Sequence, residues 1–374
     1  MNTHSIPKNR LESLDILRGF DLFMLVFFQP VFVAFARHWA DVPVFSFFLN
    51  QFDHVQWEGF SAWDMVMPLF LFMVGAAMPF AFEKYRYNPN KSAIYKKIIR
   101  RFIILFILGI IVQGNLLSFD PKSIRVYTNT LQAIAVGYAI SAVLLLHLSR
   151  RWQIITTAGL LIGYWAILTF FGDFTPEGNI AEQIDRAVLG RLRDGVSYTE
   201  HGSWHFSDNY RYTWVLTSMV FGVTTMLGVF AGQIMKNGTD KLKNSRMLFI
   251  IGLALLLGGW LLSFQTPIIK KIWTASMTLW SGGWCFLLMA LFYYLIDYKG
   301  RKKGVRWLKY YGMNSIVAYT LGMVVNFRSA AHSVLWGLEK YTGDYYQAIL
   351  TFANFLILFF ILRLMYKLRI FVKI

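Results

Sequence analysis

The sequence predicts an all-α polytopic membrane protein with about ten transmembrane helices and both termini on the cytoplasmic side. Three observations lead there. The 374 residues are 56% hydrophobic and only 15% charged, with a mean hydropathy of +0.46, which is too apolar for a soluble globule. The apolar residues lie in long continuous runs, close to the roughly 20 residues that a spanning helix needs, whereas barrel strands would alternate over about ten residues. Lys and Arg, finally, crowd into alternate connections between those runs.

In chain order, the first run is Leu14 to Phe35. Its Ala34-Phe35-Ala36 triplet resembles a signal-peptidase site. The stretch is longer than a signal core and is interrupted by Asp15, Arg18 and Asp21, so it reads as a retained helix. Trp63 to Phe82 follows, entered by Asp64 and containing Pro68 and Gly75. Ile98 to Leu117 comes after a basic approach. Thr130 to Leu148 and Ile154 to Phe171 are separated by Arg150 and Arg151. Beyond a long polar stretch lie Thr213 to Met235, Met247 to Phe264 and Thr274 to Ile296. Tyr311 to Asn326 and Ala348 to Leu368 complete the set.

The net charge of +17 raises nucleic acid as a partner, but the placement of the charges argues against it. Of the 37 Lys and Arg, 25 fall on one side of the predicted topology, 11 on the other, and Arg18 inside the first helix. This is the positive-inside pattern. Most of these charges set topology, and the same groups suit anionic lipid or a phosphorylated cofactor. Acidic residues concentrate in the outer stretch at about 172–211, which is long for a connection and of a length that is commonly functional. The single cysteine, Cys285, sits in an apolar run, so neither a disulfide framework nor a cysteine metal cluster is expected. With no internal repeat or linker, residues 1–374 read as one membrane domain.

The chemistry-bearing residues gather at the outer end of the second run. His54 and Glu58 are four apart, so on a helix they share a face and the carboxylate can orient the imidazole. A His, a Trp and a Glu at headgroup level also serve as a plain interfacial anchor. Asp15, Arg18 and Asp21 fall on one helical stripe, as an internal ion pair or as a ligand contact. His201, His205 and His332 lack metal-ligand spacing, so no zinc site is expected.

RLESLDILRGFDLFMLV, then H-x-x-W-x-G at His54 to Gly59, then D-x-x-x-P-x-F-x-F-x-x-G at Asp64 to Gly75, resemble the heparan-α-glucosaminide N-acetyltransferase family and its bacterial relatives among transmembrane acyltransferases. The likeness continues through TLQAIAVGY at Thr130 to Tyr138, NIAEQIDRAVLG at Asn179 to Gly190 and LGVFAGQI at Leu227 to Ile234. It ends with KKIWTAS at Lys270 to Ser276, YYGMNSIVAY at Tyr310 to Tyr319 and the terminal RIFVKI. Two departures fall on the acceptor side: Gln29 stands nearest to the family's asparagine before the histidine, and Asn209-Tyr210-Arg211-Tyr212 replaces D-P-E-G.

The resemblance implies acetyl transfer from cytosolic acetyl-CoA to a sugar amine across the membrane, with His54 catalytic. Glu58 is then the orienting carboxylate and Trp57 a sugar-stacking face. Asp64, Asn314, Asp185 and Arg186 join the substrate-binding set, Asp64 and Asn314 with structural roles as alternatives. Asp15, Arg18, Arg100 and Arg101 are assigned to the donor. A saccharide acceptor and membrane lipids are the expected partners, a homo-oligomer is compatible with the sequence, and the expected location is a bacterial inner membrane. General-base catalysis and an acetyl-imidazole intermediate both remain open. The competing reading is a saccharide transporter or flippase, which should show an inverted repeat and paired broken helices.

Overall fold

The computed structural model describes residues 11–86, 90–113, 120–200, 202–207 and 212–372. His201 and Asn209 to Arg211, singled out above, lie outside this set. Eight helical stretches are long and apolar enough to cross a membrane: Glu12–Trp39, Ala62–Glu83, Thr130–His147, Arg150–Phe171, Ser218–Asn237, Lys241–Ser263, Ala275–Tyr298 and Arg328–Lys367. The chain is thus an all-α integral membrane protein. Two of the ten expected spans do not reach this measure. Ser92–Val112 is helical over 21 residues but carries Lys96, Lys97, Arg100 and Arg101 in its first half. The Tyr311 run breaks at Asn314, leaving Ser315–Val324 as a ten-residue apolar helix.

Two compact units share the chain. The first comprises Met1–His54, Ser61–Val66 and Leu291–Ile374; the second comprises Val55–Phe60 and Met67–Ala290.

In the first unit, helix Glu12–Phe23 passes through a π turn at Met24–Phe28 into Gln29–Ala36. Pro30 has no amide hydrogen to continue the α ladder, and a widened turn just before it absorbs the mismatch. Glu12 pairs with Lys302 at 3.1 Å and Lys309 at 3.2 Å, fastening the start of this helix to the basic connection near the C-terminal segments. Asn314, fully buried, donates to the Ile370 carbonyl at 3.0 Å and accepts from the Val372 amide at 3.1 Å, so it clamps the terminal RIFV strip to the broken helix.

Helices Val66–Arg86, Ser92–Val112, Thr130–His147, Arg150–Phe171, Ser218–Asn237, Lys241–Ser263 and Ala275–Phe292 build the second unit. Its core gathers Met78, Phe82, Ile98, Tyr138, Leu145, Met226 and Val229. Asn129 and Gln132 form a capping box that starts Thr130–His147, which accounts for the glutamine of the TLQAIA block. Helix Ile180–Leu189 and the antiparallel hairpin Val196–Tyr198/Trp204–Phe206 make up most of the described outer stretch.

Small residues set a close helix crossing in the second unit. A Cβ on Gly75 would stand 1.9 Å from the Thr225 carbonyl oxygen, and one on Gly228 would stand 1.9 Å from the Phe72 carbonyl oxygen. The two helices therefore pack backbone to backbone, as small residues permit where lipid offers no hydrophobic drive. Gly75 ends one of the motif blocks and Gly228 is the second residue of another. We expect Gly228→Val to lower the thermal midpoint of the detergent-solubilised protein markedly, at a cost of about 1–3 kcal/mol or more. Gly159→Ala, on a helix with nothing within 4 Å of the new methyl, should leave the midpoint unchanged or raise it. Fluorescence-detected size exclusion after heating checks both.

Candidate active site

Ser61 begins a short 3-10 turn, Ala62–Met65, that leads into the second apolar helix. It forms a capping box with Asp64: the Ser61 amide and hydroxyl donate to Asp64 Oδ2 at 3.0 and 3.1 Å. The other carboxylate oxygen, Oδ1, lies 2.7 Å from His54 Nδ1. Asp64 is 1% exposed and the His54 side chain 42% exposed, so a buried carboxylate holds a solvent-reached imidazole. His54 is fixed from its backbone as well, because its amide donates to Asp53 Oδ1 at 2.8 Å, and the Ser61 hydroxyl also lies 2.6 Å from the Asp53 carbonyl. With Nδ1–H donating to Asp64, the lone pair of the neutral ring sits on Nε2. A carboxylate behind a histidine in this arrangement suits a general base or a nucleophile.

The orienting carboxylate is therefore Asp64, not Glu58. The helical spacing invoked for His54 and Glu58 does not apply, because residues 53–60 are bends and extended chain. Glu58 is exposed and forms an isolated antiparallel bridge with Ile269, while the Gly59 amide donates to the Ile268 carbonyl at 2.8 Å. Gly59 takes φ +125°, which L side chains avoid. This explains the glycine of H-x-x-W-x-G. Trp57, half-buried, donates its indole N–H to the Phe174 carbonyl at 2.8 Å, tying this segment to the start of the outer stretch.

The remaining predicted residues divide between structure and surface. Asp185 is fully buried and accepts from the Trp214 and Val215 amides at 2.8 and 2.9 Å, just ahead of helix Ser218–Asn237. These bonds make it an internal anchor for the entry to that helix. Arg186 pairs with Glu182 at 2.8 Å and stacks on Phe206, and Glu182 also binds the buried Arg193. Asn314 is the C-terminal clamp described above, the structural one of its two expected roles. Asp15 and Arg18 approach to 3.9 Å within the first unit. In the second unit Arg100 is exposed and Arg101 stacks on Tyr138 at 4.5 Å. Among the described residues no three His, Cys, Asp or Glu side chains gather as a metal-ligating group.

Comparison with known proteins finds distant similarity along most of the chain. The heparan-alpha-glucosaminide N-acetyltransferase of Mus musculus is 26% identical over 371 residues, covering 85% of this chain and 54% of the mouse protein. The Homo sapiens protein of the same name is 26% identical over 368 residues, covering 83% of this chain and 52% of its own length. The chain is a distant relative of these acetyltransferases. It spans about half the length of the curated relatives it matches. Residues 10–122, which include His54, Ser61 and Asp64, also match a family described as a domain of unknown function, DUF5009.

Sequence reasoning missed Ser61 and Asp53. The S-x-x-D spacing before an apolar run was the available signal for Ser61, since it marks a capping box. Nothing in the sequence shows Asp53 to be part of the set.

Burial pushes the Asp185 carboxyl up to about 7, against the Val215 and Trp214 amides and the Arg193 cation that pull it down. Its folded value thus lies above the roughly 3.9 of an unfolded aspartate. The folded protein holds this proton more tightly. The group's contribution to stability is fullest below about pH 4, falls as pH rises toward about 7, and then levels. We expect Asp185→Asn to flatten the fall in thermal midpoint between about pH 5 and pH 7.5, measured in one detergent across a buffer series. An unchanged slope would count against this role.

Proposed function

We propose that this chain is a transmembrane acyltransferase that takes acetyl from cytosolic acetyl-CoA and delivers it to an amine or hydroxyl of a saccharide on the opposite side. The observation that carries the reading is the His54–Asp64 pair inside the H-x-x-W-x-G and D-x-x-x-P blocks. The distant kinship with N-acetyltransferases supports the reaction class. The loop charges support the sidedness, because they put the His54 segment opposite the cytoplasm.

In this reading the acceptor's N–H or O–H gives its proton to His54 Nε2 as the nucleophile attacks the thioester carbonyl. The C–S bond then breaks, and the imidazolium returns the proton to the coenzyme A thiolate. Asp64 stabilises the imidazolium and fixes the ring orientation. An alternative ordering has Nε2 attack the thioester first, breaking the C–S bond and releasing the coenzyme A thiolate; the acceptor then attacks the acetyl-imidazole, Nε2 leaves, and the acceptor's proton goes to the thiolate. The acidic outer stretch suits a protonated amine before it loses its proton, and the Trp57 ring offers a face for a sugar. Asp15, Arg18, Arg100 and Arg101 are retained as donor contacts of this proposal, through their positive or paired charge near the inner surface. The reaction is that of one membrane domain, located in the bacterial inner membrane.

His54→Ala should lower transfer by at least about a hundredfold while the protein elutes normally and keeps its affinity for acetyl-CoA. Asp64→Asn should also lower transfer strongly and displace the pH–rate profile, because the amide misdirects the tautomer. Glu58→Gln should have a small effect. Radiolabelled acetyl transfer to a panel of amino sugars and neutral glycans measures all three. A His54→Ala protein with most of its activity would remove the central residue, and a wild type that moves saccharide without acetylating it would favour transport.

A further inference from the structure

His54 is delivered to its carboxylate by a short helical arm. Helix Pro43–Gln51 has nine residues, which rise about 13 Å, too little to cross a bilayer. It turns back along the outer end of the first spanning helix: Phe45 packs on Trp39 with ring centres 5.3 Å apart, Phe48 on Phe32 at 6.2 Å, and Phe52 on Phe28 at 5.7 Å. The partners step down the first helix as the arm advances, so the two run antiparallel. Gln29 Nε2 donates to the Phe52 carbonyl at 3.1 Å and fastens the end of the arm to that helix. His54 lies two residues further on.

From there, successive links join residues 51–54 to residues 61–64, all within the first unit. Gln51 Oε1 accepts from the Ala62 amide at 3.1 Å. Phe52 packs on Trp63 with ring centres 6.1 Å apart. The Ser61 hydroxyl reaches the Asp53 carbonyl at 2.6 Å, and His54 Nδ1 meets Asp64 Oδ1 at 2.7 Å. The imidazole thus stands on one segment and its carboxylate on the other, and their separation is set by whatever holds the two segments together. Ala62 is the first residue after the N-cap Ser61, so its amide is one of those that a helix start leaves without an internal partner. Gln51 supplies the acceptor from outside the turn.

We propose that Gln51 is a positioning residue for acyl transfer: by accepting from the Ala62 amide it holds the end of the arm against the turn that carries Asp64, and so keeps the imidazole on its carboxylate. The inference rests on the acyltransferase reading above. It concerns the rate of the chemical step, because small displacements of a reacting group cost rate even when binding is untouched.

Steady-state transfer by the full-length protein in detergent, with acetyl-CoA and the best acceptor among the amino sugars and neutral glycans named above, tests this. Gln51→Met keeps the side-chain length but removes the acceptor; kcat should fall about three- to tenfold, the scale of one hydrogen bond, with KM for acetyl-CoA unchanged. Gln51→Glu retains an acceptor and should bring kcat back to within about twofold of wild type. Ala62→Pro removes the donor instead, at a first helical position that suits proline and behind a Ser61 whose backbone is already extended at φ −100° and ψ 166°. It should match Gln51→Met, and the double variant should be no slower than either single one. With 15N-labelled histidine, the His54 Nδ1–H signal, assigned by its loss in His54→Ala, should broaden in Gln51→Met and sharpen again in Gln51→Glu. If Gln51→Met and Ala62→Pro both keep the wild-type kcat, or if Gln51→Glu is as slow as Gln51→Met, the positioning role is wrong while the acyltransferase reading stands. If the wild type acetylates no member of the panel, that reading fails and takes this inference with it.

Discussion

A carboxylate inside a membrane domain must be neutralised, paired or hydrogen-bonded, and Asp64 meets that demand at the mouth of the second apolar helix. Both its oxygens are used: Oδ2 by the Ser61 amide and hydroxyl, Oδ1 by the His54 ring. The same bonds that make the buried charge tolerable start the helix and aim the imidazole. The helix start is thereby tied to the geometry of the ring, and a change at Asp64 touches both. Asp53 completes the set: its carboxylate takes the His54 amide, and its carbonyl shares the single Ser61 hydroxyl proton with Asp64 Oδ2.

The same economy of polar groups recurs through the fold. Asp185 sits fully buried because two amides ahead of a long helix need an acceptor. Asn314 is buried because its amide holds the C-terminal strip at both a carbonyl and an N–H. Gln132 closes the start of Thr130–His147 in the same way. Gln233 donates to Gln153 in the interior of the second unit.

Much of this was legible in the sequence. The apolar runs identified eight spans because lipid forces backbone hydrogen bonds to close within each helix. His54 stood out because an imidazole beside an apolar helix is chemically conspicuous. The rest was hidden for specific reasons. Assuming a helix across His54 and Glu58 gave the wrong carboxylate, since a glycine at positive φ and a bridge to Ile269 keep that stretch extended. Asp185 and Arg186 were visible as a motif, yet their direction, inward to amides and sideways to Glu182, is a tertiary fact. The span at Tyr311 was overextended because hydropathy does not register a break at Asn314.

The central claim is that acetyl crosses from a cytosolic thioester to an acceptor on the far side through the site at His54. Proteoliposomes with the protein in a known orientation, acetyl-CoA sealed on the face that bears the basic loops and an amino sugar or hydroxyl-bearing glycan on the other, test it most directly. The account predicts acetylated saccharide in the acceptor compartment, with coenzyme A retained in the donor compartment and no product from His54→Ala vesicles. Acetylation that appears only when donor and acceptor share one compartment would contradict it.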